Sequence, residues 1–371
     1  MNIISSIKPV VYLQSLEKTE PNELEITNEL ADTLLSISEI TSKDYGHAVR
    51  SVHAKGHGIL RGKLIVHENL PAIYQQGLFK YPAEYSVVMR LSTIPGDVMD
   101  DAVSTPRGLA IKILEVPGKQ CNSDSSEDSQ DFLLVNGPAF LNPGVKGFLK
   151  SLKLLAATTD KAEGLKKVLS TALRGTEKVL EAFGGKSPII MSLGGQPETN
   201  VLGETYYSQV PILYGKYIAK ISLVPVSADL IALTNQPVDL DDKPNGLREA
   251  VVDFFKTHSA QWALRVQLCT DIEKMPIEDA SVVWPEEESP YYPVATIMVN
   301  SQLAWHDKLY EEVEDALSFS PWNAIEQHRP LGSVMRARKL TYEKSAEFRQ
   351  MFNGCPMHNA SLLSMLDNAT K

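Results

Sequence analysis

The sequence predicts an α+β fold, a large antiparallel sheet or barrel with helices before it, within it and after it. Apolar and polar residues alternate in several segments between residues 57 and 116 and again after residue 187, which is the period of strands. Other segments space their apolar residues three or four positions apart, as amphipathic helices do. No long linker or internal repeat divides the 371 residues, so we expect one domain over residues 1–371.

The N-terminal third begins with helix and continues as strand. Residues 1–45 are predicted to form an N-terminal arm that ends in a first helix over 22–42, because leucines and isoleucines recur there at helical spacing. Two later segments alternate strictly, and each places three apolar residues on one face of a strand: Val87, Met89 and Leu91, then Leu109, Ile111 and Ile113.

The middle of the chain predicts further strands around a helical insertion. We expect, in order, a polar acidic loop at 121–131, a buried strand at 132–141, a helical insertion at 143–185, strands within 187–238, a helix at 247–258 and a strand at 263–271.

Residues 301–371 are predicted to be C-terminal helices. Ser320 suits the N-cap of a helix and Pro321 its first position. The segment 335–352 contains few helix-breaking residues and should form a second, longer helix.

Composition excludes several classes of protein. With 36 Lys and Arg against 46 Asp and Glu, the net charge is −10, which argues against a general nucleic-acid binder. Cys121, Cys269 and Cys355 are far apart and form no CxxC pair, so a disulfide framework is not expected and a reducing, cytoplasmic location fits. The N-terminus lacks signal-peptide order, and no apolar run reaches about 18 residues, so we expect no integral membrane association.

The usual catalytic and metal-binding motifs are absent. His53 and His57 have the i,i+4 spacing of zinc ligands on a helix, but the glycines around them disfavour a helix there. No GxSxG nucleophile elbow, Walker-type loop or GxGxxG fingerprint occurs in the sequence. Arg338 and Tyr342 lie four residues apart in a predicted helix, so the guanidinium can reach the phenol oxygen. A nearby arginine favours phenolate, a known ligand of haem iron, although most such pairs on helices are merely packed.

Five segments together resemble the haem catalase family. They occur in order over residues 50–342: RSVHAKGHG (50–58), MRLSTIPGD (89–97), PRGLAIKI (106–113), DFLLVNGPAFL (131–141) and FSP…RKLTY (319–342). The resemblance implies an eight-stranded antiparallel β-barrel with surrounding helices that encloses haem b. It also allows homo-oligomers.

The chain departs from typical catalases in length and in the segment after Tyr342. It leaves little room for their long arms, and EKSAEFR follows the tyrosine where an Arg-rich motif is usual. It therefore looks like the small catalase-related haem proteins, which include catalase-like peroxidases and allene oxide synthases. Val52 precedes the candidate distal histidine as in true catalases, whereas we expect Thr in the allene oxide synthases.

The resemblance assigns the distal side of the haem site. His53 matches the histidine that takes a proton from bound peroxide and returns it to the leaving oxygen. Ser92 matches the serine that bonds near that histidine. Asn136 matches the amide that orients peroxide, although a gapless alignment places this amide at Val135.

The resemblance also assigns the proximal side and the cofactor's carboxylates. Tyr342 matches the phenolate that ligates the haem iron, and Arg338 matches its charge partner. Arg50 and Arg90 match arginines near the haem propionates, and Phe140 is expected to pack on the haem face. For Arg90 and Arg107 the alternative is a salt bridge on the face of a strand, and for Phe140 it is ordinary core packing.

These assignments predict a haem b enzyme of catalase or peroxidase type that acts on hydrogen peroxide or organic hydroperoxides. With the long arms missing, we expect an accessible haem, weaker catalase activity and more peroxidase activity. One alternative is a fatty-acid hydroperoxide isomerase or lyase, for which the leucine-rich helices at 148–180 could wall an apolar channel. Another is a non-catalytic haem-binding protein.

Overall fold

The computed structural model describes residues 7–122, 128–158, 195–306 and 313–354. Its strands are β1 (Gly56–Val66), β2 (Glu84–Thr93), β3 (Arg107–Leu114), β4 (Ser129–Val135), β5 (Tyr206–Tyr207), β6 (Ile212–Tyr214), β7 (Tyr217–Pro225), β8 (Ala260–Leu268) and β9 (Tyr292–Val299). Its helices are α1 (Glu23–Tyr45), α2 (Val145–Thr158), the single turn α3 (Ala228–Ile231), α4 (Gly246–Phe255) and α5 (Ser333–Asn353).

Eight of these strands close into an antiparallel barrel, and β6 lies outside it. Around the barrel the order is β5-β4-β3-β2-β1-β9-β8-β7. The short strand β5 completes the ring, because Val135 of β4 pairs with Tyr207 and Leu223 of β7 pairs with Tyr206. The predicted eight-stranded antiparallel barrel is therefore confirmed.

The two faces of the barrel strands match the alternation in the sequence. Across β2 and β3, Val87, Met89 and Leu91 pair with Ile113, Ile111 and Leu109, and all six belong to one large apolar core. The opposite face of β2 carries Val88, Arg90 and Ser92, which are equally buried because other segments cover it. Arg90 and Ser92, on this outer face of β2, therefore lie between the barrel and the segments that cover it.

Helices α1, α2 and α5 form a second layer on the barrel. Ile26, Leu30, Leu34 and Ile37 of α1 pack with Leu149 of α2 in a separate apolar cluster, which also includes Ala337 of α5. The predicted first helix and the long helix over 335–352 are confirmed by α1 and α5. Helix α2 covers the start of the predicted insertion, and the rest of that insertion lies outside the described residues.

Several predicted boundaries are wrong. The strand predicted at 132–141 ends at Val135, the helix predicted at 247–258 ends at Phe255, and the strand predicted at 263–271 spans Ala260–Leu268. The acidic loop at 121–131 ends earlier than predicted, because β4 begins at Ser129. Ser320 and Pro321 begin a turn, and helix resumes with a short 3-10 turn and then α5. The segment hydrogen-bonds to β4 instead: Asp131 N–H donates to the Asn323 carbonyl at 2.7 Å, and Asp131 Oδ2 accepts from Ser320 N–H at 2.9 Å. These tertiary bonds replace the helical ones.

Candidate active site

A cavity of about 220 Å³ lies between strands β2–β4 and helix α5. Every predicted site residue except Asn136 lines it: Arg50, His53, Arg90, Ser92, Phe140, Arg338 and Tyr342. Residues from distant parts of the chain thus meet in one space.

His53 is held firmly at this cavity. Its backbone has a φ of 58°, the left-handed region, and its N–H donates to the Ile94 carbonyl at 2.6 Å. Its Nδ1 lies 3.1 Å from Ser92 Oγ. Burial, reinforced by the positive charges of Arg90 and Arg338, lowers the pKa of His53 to about 3. The imidazole is therefore neutral near pH 7 and can accept a proton.

Gly108 allows the His53 ring to lie against strand β3. A Cβ at this position would come within 2.4 Å of two ring atoms of His53 and 2.9 Å of Ser92 Oγ. Any side chain here would force the imidazole to move, so the glycine is part of how the histidine is oriented.

Tyr342 and Arg338 lie one helical turn apart on α5. The Arg338 Nη2 group donates to the Tyr342 phenol oxygen at 2.7 Å, and its guanidinium carbon lies 5.1 Å from the ring centroid. The donor is charged, so this is a charge-assisted hydrogen bond that fixes the position of the phenol oxygen. The side chains are brought to the cavity as the helical spacing predicts.

Arg50 and Arg90 share one carboxylate that sequence reasoning missed. Glu314 Oε1 accepts from Arg50 Nη1 at 2.6 Å and from Arg90 Nε at 2.7 Å. Burial alone would raise the pKa of Glu314, but the two guanidinium groups lower it to about 2. Glu314 is therefore ionised and partly neutralises the arginines, which were predicted to contact propionates.

Asn136 is the predicted site residue that does not reach the cavity. Its Oδ1 accepts from the Arg107 N–H at 2.8 Å, and Val135 lines the cavity in its place. Val135 is the last residue of β4 and is paired with Gly108, so the next side chain turns away. The prediction that Asn136 lies at the cavity is therefore wrong, and Val135, where the gapless alignment places the amide, lines it instead. Arg107 itself is buried and hydrogen-bonds to neutral oxygens, including Ser104 Oγ at 2.9 Å.

Other lining residues were not predicted. Arg349 also lines the cavity, and its position two helical turns beyond Tyr342 could have indicated this. Gln209 lines it through its side-chain amide, which donates to the Ala139 carbonyl at 2.6 Å. Nothing in the sequence around Gln209 marks it as a site residue.

The lining fits haem b by the chemistry of its groups. Tyr342, hydrogen-bonded to Arg338, offers a phenol oxygen as a ligand for iron. Arg50 and Arg349 supply cations for carboxylates. Phe140 packs edge-on against Phe148 with ring centroids 5.1 Å apart, and both belong to the apolar wall that a flat macrocycle needs.

A histidine-rich metal site does not arise from His53 and His57. His57 lies in β1, fully buried, with Nε2 at 3.3 Å from Thr93 Oγ1. Within the described ranges, no three His, Cys, Asp or Glu side chains converge as metal ligands would.

Those same ranges include no helix with the length and apolarity of a transmembrane span.

Comparison with known proteins gives structural matches alone. No family model and no curated protein matches the sequence. Catalase A from Saccharomyces cerevisiae matches with a TM-score of 0.61 and 16% identity, over 86% of this chain and 65% of that one. A fungal catalase gives 0.60 and 17% over 86% and 64%, and a bacterial catalase 0.56 and 15% over 93% and 65%.

This chain therefore spans less than two thirds of the length of each of these catalases. At 15–17% identity the likeness bears on architecture rather than on activity. The closed barrel with helices packed on its outer face is the arrangement they share with it. The chain has the fold of the catalases.

Proposed function

We propose that the protein is a haem b-dependent oxidoreductase that reacts with hydroperoxides, by catalase or peroxidase chemistry. One observation carries the proposal: a neutral histidine and an arginine-supported tyrosine line the same cavity. This combination supplies a proton acceptor and an oxygen ligand for iron, two groups that such chemistry uses.

Each lining residue has a role in this proposal. Haem, when bound, would supply a redox centre that gives two electrons to the hydroperoxide and regains two from a reductant, which in catalase chemistry is a second hydrogen peroxide. Tyr342 would be the protein ligand to that iron, and Arg338 holds its oxygen in position through the hydrogen bond. Arg50 and Arg349 hold the cofactor's carboxylates at the cavity.

His53 moves the proton. Its unprotonated nitrogen accepts the proton from the oxygen of the incoming hydroperoxide and returns it to the departing oxygen, so that a neutral molecule leaves. Ser92, hydrogen-bonded to Nδ1, fixes the ring orientation. The depressed pKa keeps this nitrogen available over the whole physiological pH range.

Val135 favours hydroperoxides with an organic group over hydrogen peroxide itself. It lines the cavity where the gapless alignment with catalases places an amide, so the hydrogen bond that would orient the small, polar peroxide is missing. Together with Phe140 and Phe148 it gives an apolar wall. This wall is also the observation that supports the alternative, a fatty-acid hydroperoxide isomerase or lyase.

The test is peroxide turnover by the hemin-loaded protein and its His53→Gln variant. We expect the variant to lose about a hundredfold to ten-thousandfold in rate, because glutamine cannot act as a base. Equal rates for the two proteins would contradict the proposal. The product separates the alternatives: consumption of an added reductant marks a peroxidase, and rearrangement of a lipid hydroperoxide without reductant marks an isomerase.

A further inference from the structure

We propose that Glu314 is a positioning residue for His53, acting through the guanidinium of Arg90. Its catalytic consequence rests on the proposed function, whereas its structural consequence does not. The inference comes from a continuous chain of buried hydrogen bonds that starts at the Glu314 carboxylate and ends at the backbone of His53.

The backbone of His53 needs an external restraint. A residue with a side chain pays a steric cost in the left-handed region, and this cost is usually offset by surrounding structure. The N–H side is restrained, since His53 N–H donates to the Ile94 carbonyl at 2.6 Å and Ala54 N–H donates to the Pro95 carbonyl at 3.0 Å.

Arg90 restrains the carbonyl side. Its Nη2 group donates to the His53 carbonyl at 2.9 Å and to the Ala54 carbonyl at 3.3 Å. One planar guanidinium therefore clamps two consecutive peptide units, and the direction of the imidazole depends on where this group lies.

Glu314 fixes the guanidinium in turn. Its two carboxylate oxygens accept from Arg90 Nε at 2.7 and 3.0 Å, and Oε1 also contacts Nη2. Both side chains are 3% exposed, so water does not compete for these bonds. Arg50 approaches the same carboxylate from the other side and donates to the Glu314 and Leu317 carbonyls at 3.1 and 2.9 Å.

The arrangement explains why a buried carboxylate lies beside two of the arginines that line the cavity. Without Glu314, Arg90 would be a buried cation held only by neutral carbonyls and free to turn toward any other anion in the cavity. With it, the guanidinium keeps one orientation whether or not a carboxylate ligand is bound. Arg90 thus holds the backbone of His53 in place.

The experiment follows the histidine itself. The full chain, labelled with ¹⁵N and ¹³C in histidine and studied without added hemin, gives imidazole NMR signals that His53→Gln assigns by their loss. We expect Glu314→Gln to shift or split the His53 signals. The matched control is Asp315→Asn, which removes the neighbouring carboxylate, bound to His47 at 2.9 Å, and leaves Arg90 untouched. The Asp315→Asn variant should leave the His53 signals at their wild-type positions.

A second variant keeps the test available if Glu314→Gln does not fold. Glu314→Asp keeps the charge but is one methylene shorter, so it cannot reach both arginines at the present distances. We expect a smaller displacement of the same signals. His53 signals at wild-type positions in either folded variant would overturn the proposal, and so would an equal displacement in Asp315→Asn.

Kinetics of the hemin-loaded variants separate this proposal from the proposed function. Misplacement of the base predicts a fall in kcat of about tenfold or more in Glu314→Gln, with KM changed less than about threefold. If His53→Gln leaves peroxide turnover intact, the proposed function fails while the NMR result still decides the role of Glu314.

Discussion

At the scale of single residues, the site depends on how closely a few groups approach one another. The His53 ring rests on Gly108 and bonds to Ser92, and both come from strands that the alternation of the sequence predicts. The orientation of the imidazole is therefore built into the pairing of β2 with β3, where Ser92 is directly opposite Gly108.

We predict that Gly108→Ala disables the site. Its added methyl group must displace the His53 ring, 2.4 Å away, at a cost of about 1–3 kcal/mol in stability. Hydroperoxide turnover should fall at least about tenfold. The control is Gly137→Ala, where the nearest atom to a new Cβ is 3.7 Å away. If both variants turn over peroxide alike, the ring is not held as described.

Seven of the eight site residues predicted from the sequence line the cavity, but their hydrogen-bond partners were not predicted. Motif spacing located His53 and Tyr342, because residue types and order are visible in one dimension. Glu314 could not be predicted, since its pairing with Arg90 spans 224 positions and depends on the folded path. Asn136 was misassigned because one position along a strand decides which face a side chain occupies.

At the scale of elements, helix α5 is the helix that brings the predicted iron ligand to the cavity. Arg338, Tyr342 and Arg349 recur on one face of it and reach the cavity together. Its N-terminal turn is tied to the N-terminal arm through Arg336, which donates to Glu23 at 2.6 Å and to Glu17 and Glu278 at 3.0 Å. Burial alone would lower the pKa of Arg336, but these carboxylates raise it.

We predict that Arg336→Met destabilises the protein by about 2 kcal/mol, because three carboxylates lose their common cation in a partly buried position. Urea unfolding measures this change. Lys344→Met is the control: it removes an exposed pair with Asp32 from the same helix and should cost less than about 0.5 kcal/mol. Equal losses of unfolding free energy in the two variants would show that the Arg336 cluster contributes no more than an exposed ion pair.

The elements that the sequence mispredicted lie where tertiary bonds outweigh local preference. Ser320 and Pro321 form a good helix start signal, and Ser320 Oγ indeed accepts from Trp322 N–H at 3.2 Å. The chain then bonds to β4, with Ile325 N–H donating to Gln130 Oε1 at 3.2 Å, and no helix propagates. Local residues alone cannot reveal this competition.

At the scale of the whole molecule, the barrel buries several histidines in neutral form. Burial lowers the pKa of His53 to about 3 and that of His328 to about 4, and it lowers the pKa of His57 as well. In the unfolded chain these groups titrate near 6.5, so below that pH the unfolded state binds more protons. Stability is therefore greatest above about pH 6.5 and falls as the pH drops.

We predict that His328→Gln reduces this acid sensitivity. The Leu78 N–H donates to His328 Nε2 at 3.0 Å. Glutamine can still accept this hydrogen bond, but it does not titrate. From the shift of 6.5 to about 4, the loss of unfolding free energy between about pH 7 and pH 4 should be smaller by about 3 kcal/mol in the variant. Parallel stability curves for the two proteins would contradict this account.

Period-two patterns predicted a large antiparallel sheet or barrel, but these patterns alone did not predict that it closes. It depends on the two-residue strand β5, which is too short for any pattern to mark. The resemblance of five motifs supplied what periodicity could not, because their order implied one closed fold.

The central claim is that Tyr342 ligates haem in the cavity that His53 lines. It is tested most directly by the optical spectrum of the purified protein with hemin, recorded for the wild type and for Tyr342→Phe. We predict a high-spin ferric spectrum whose Soret band changes in the variant, since phenylalanine offers iron no ligand. Failure of the wild type to take up hemin, or identical spectra for both proteins, would contradict the account.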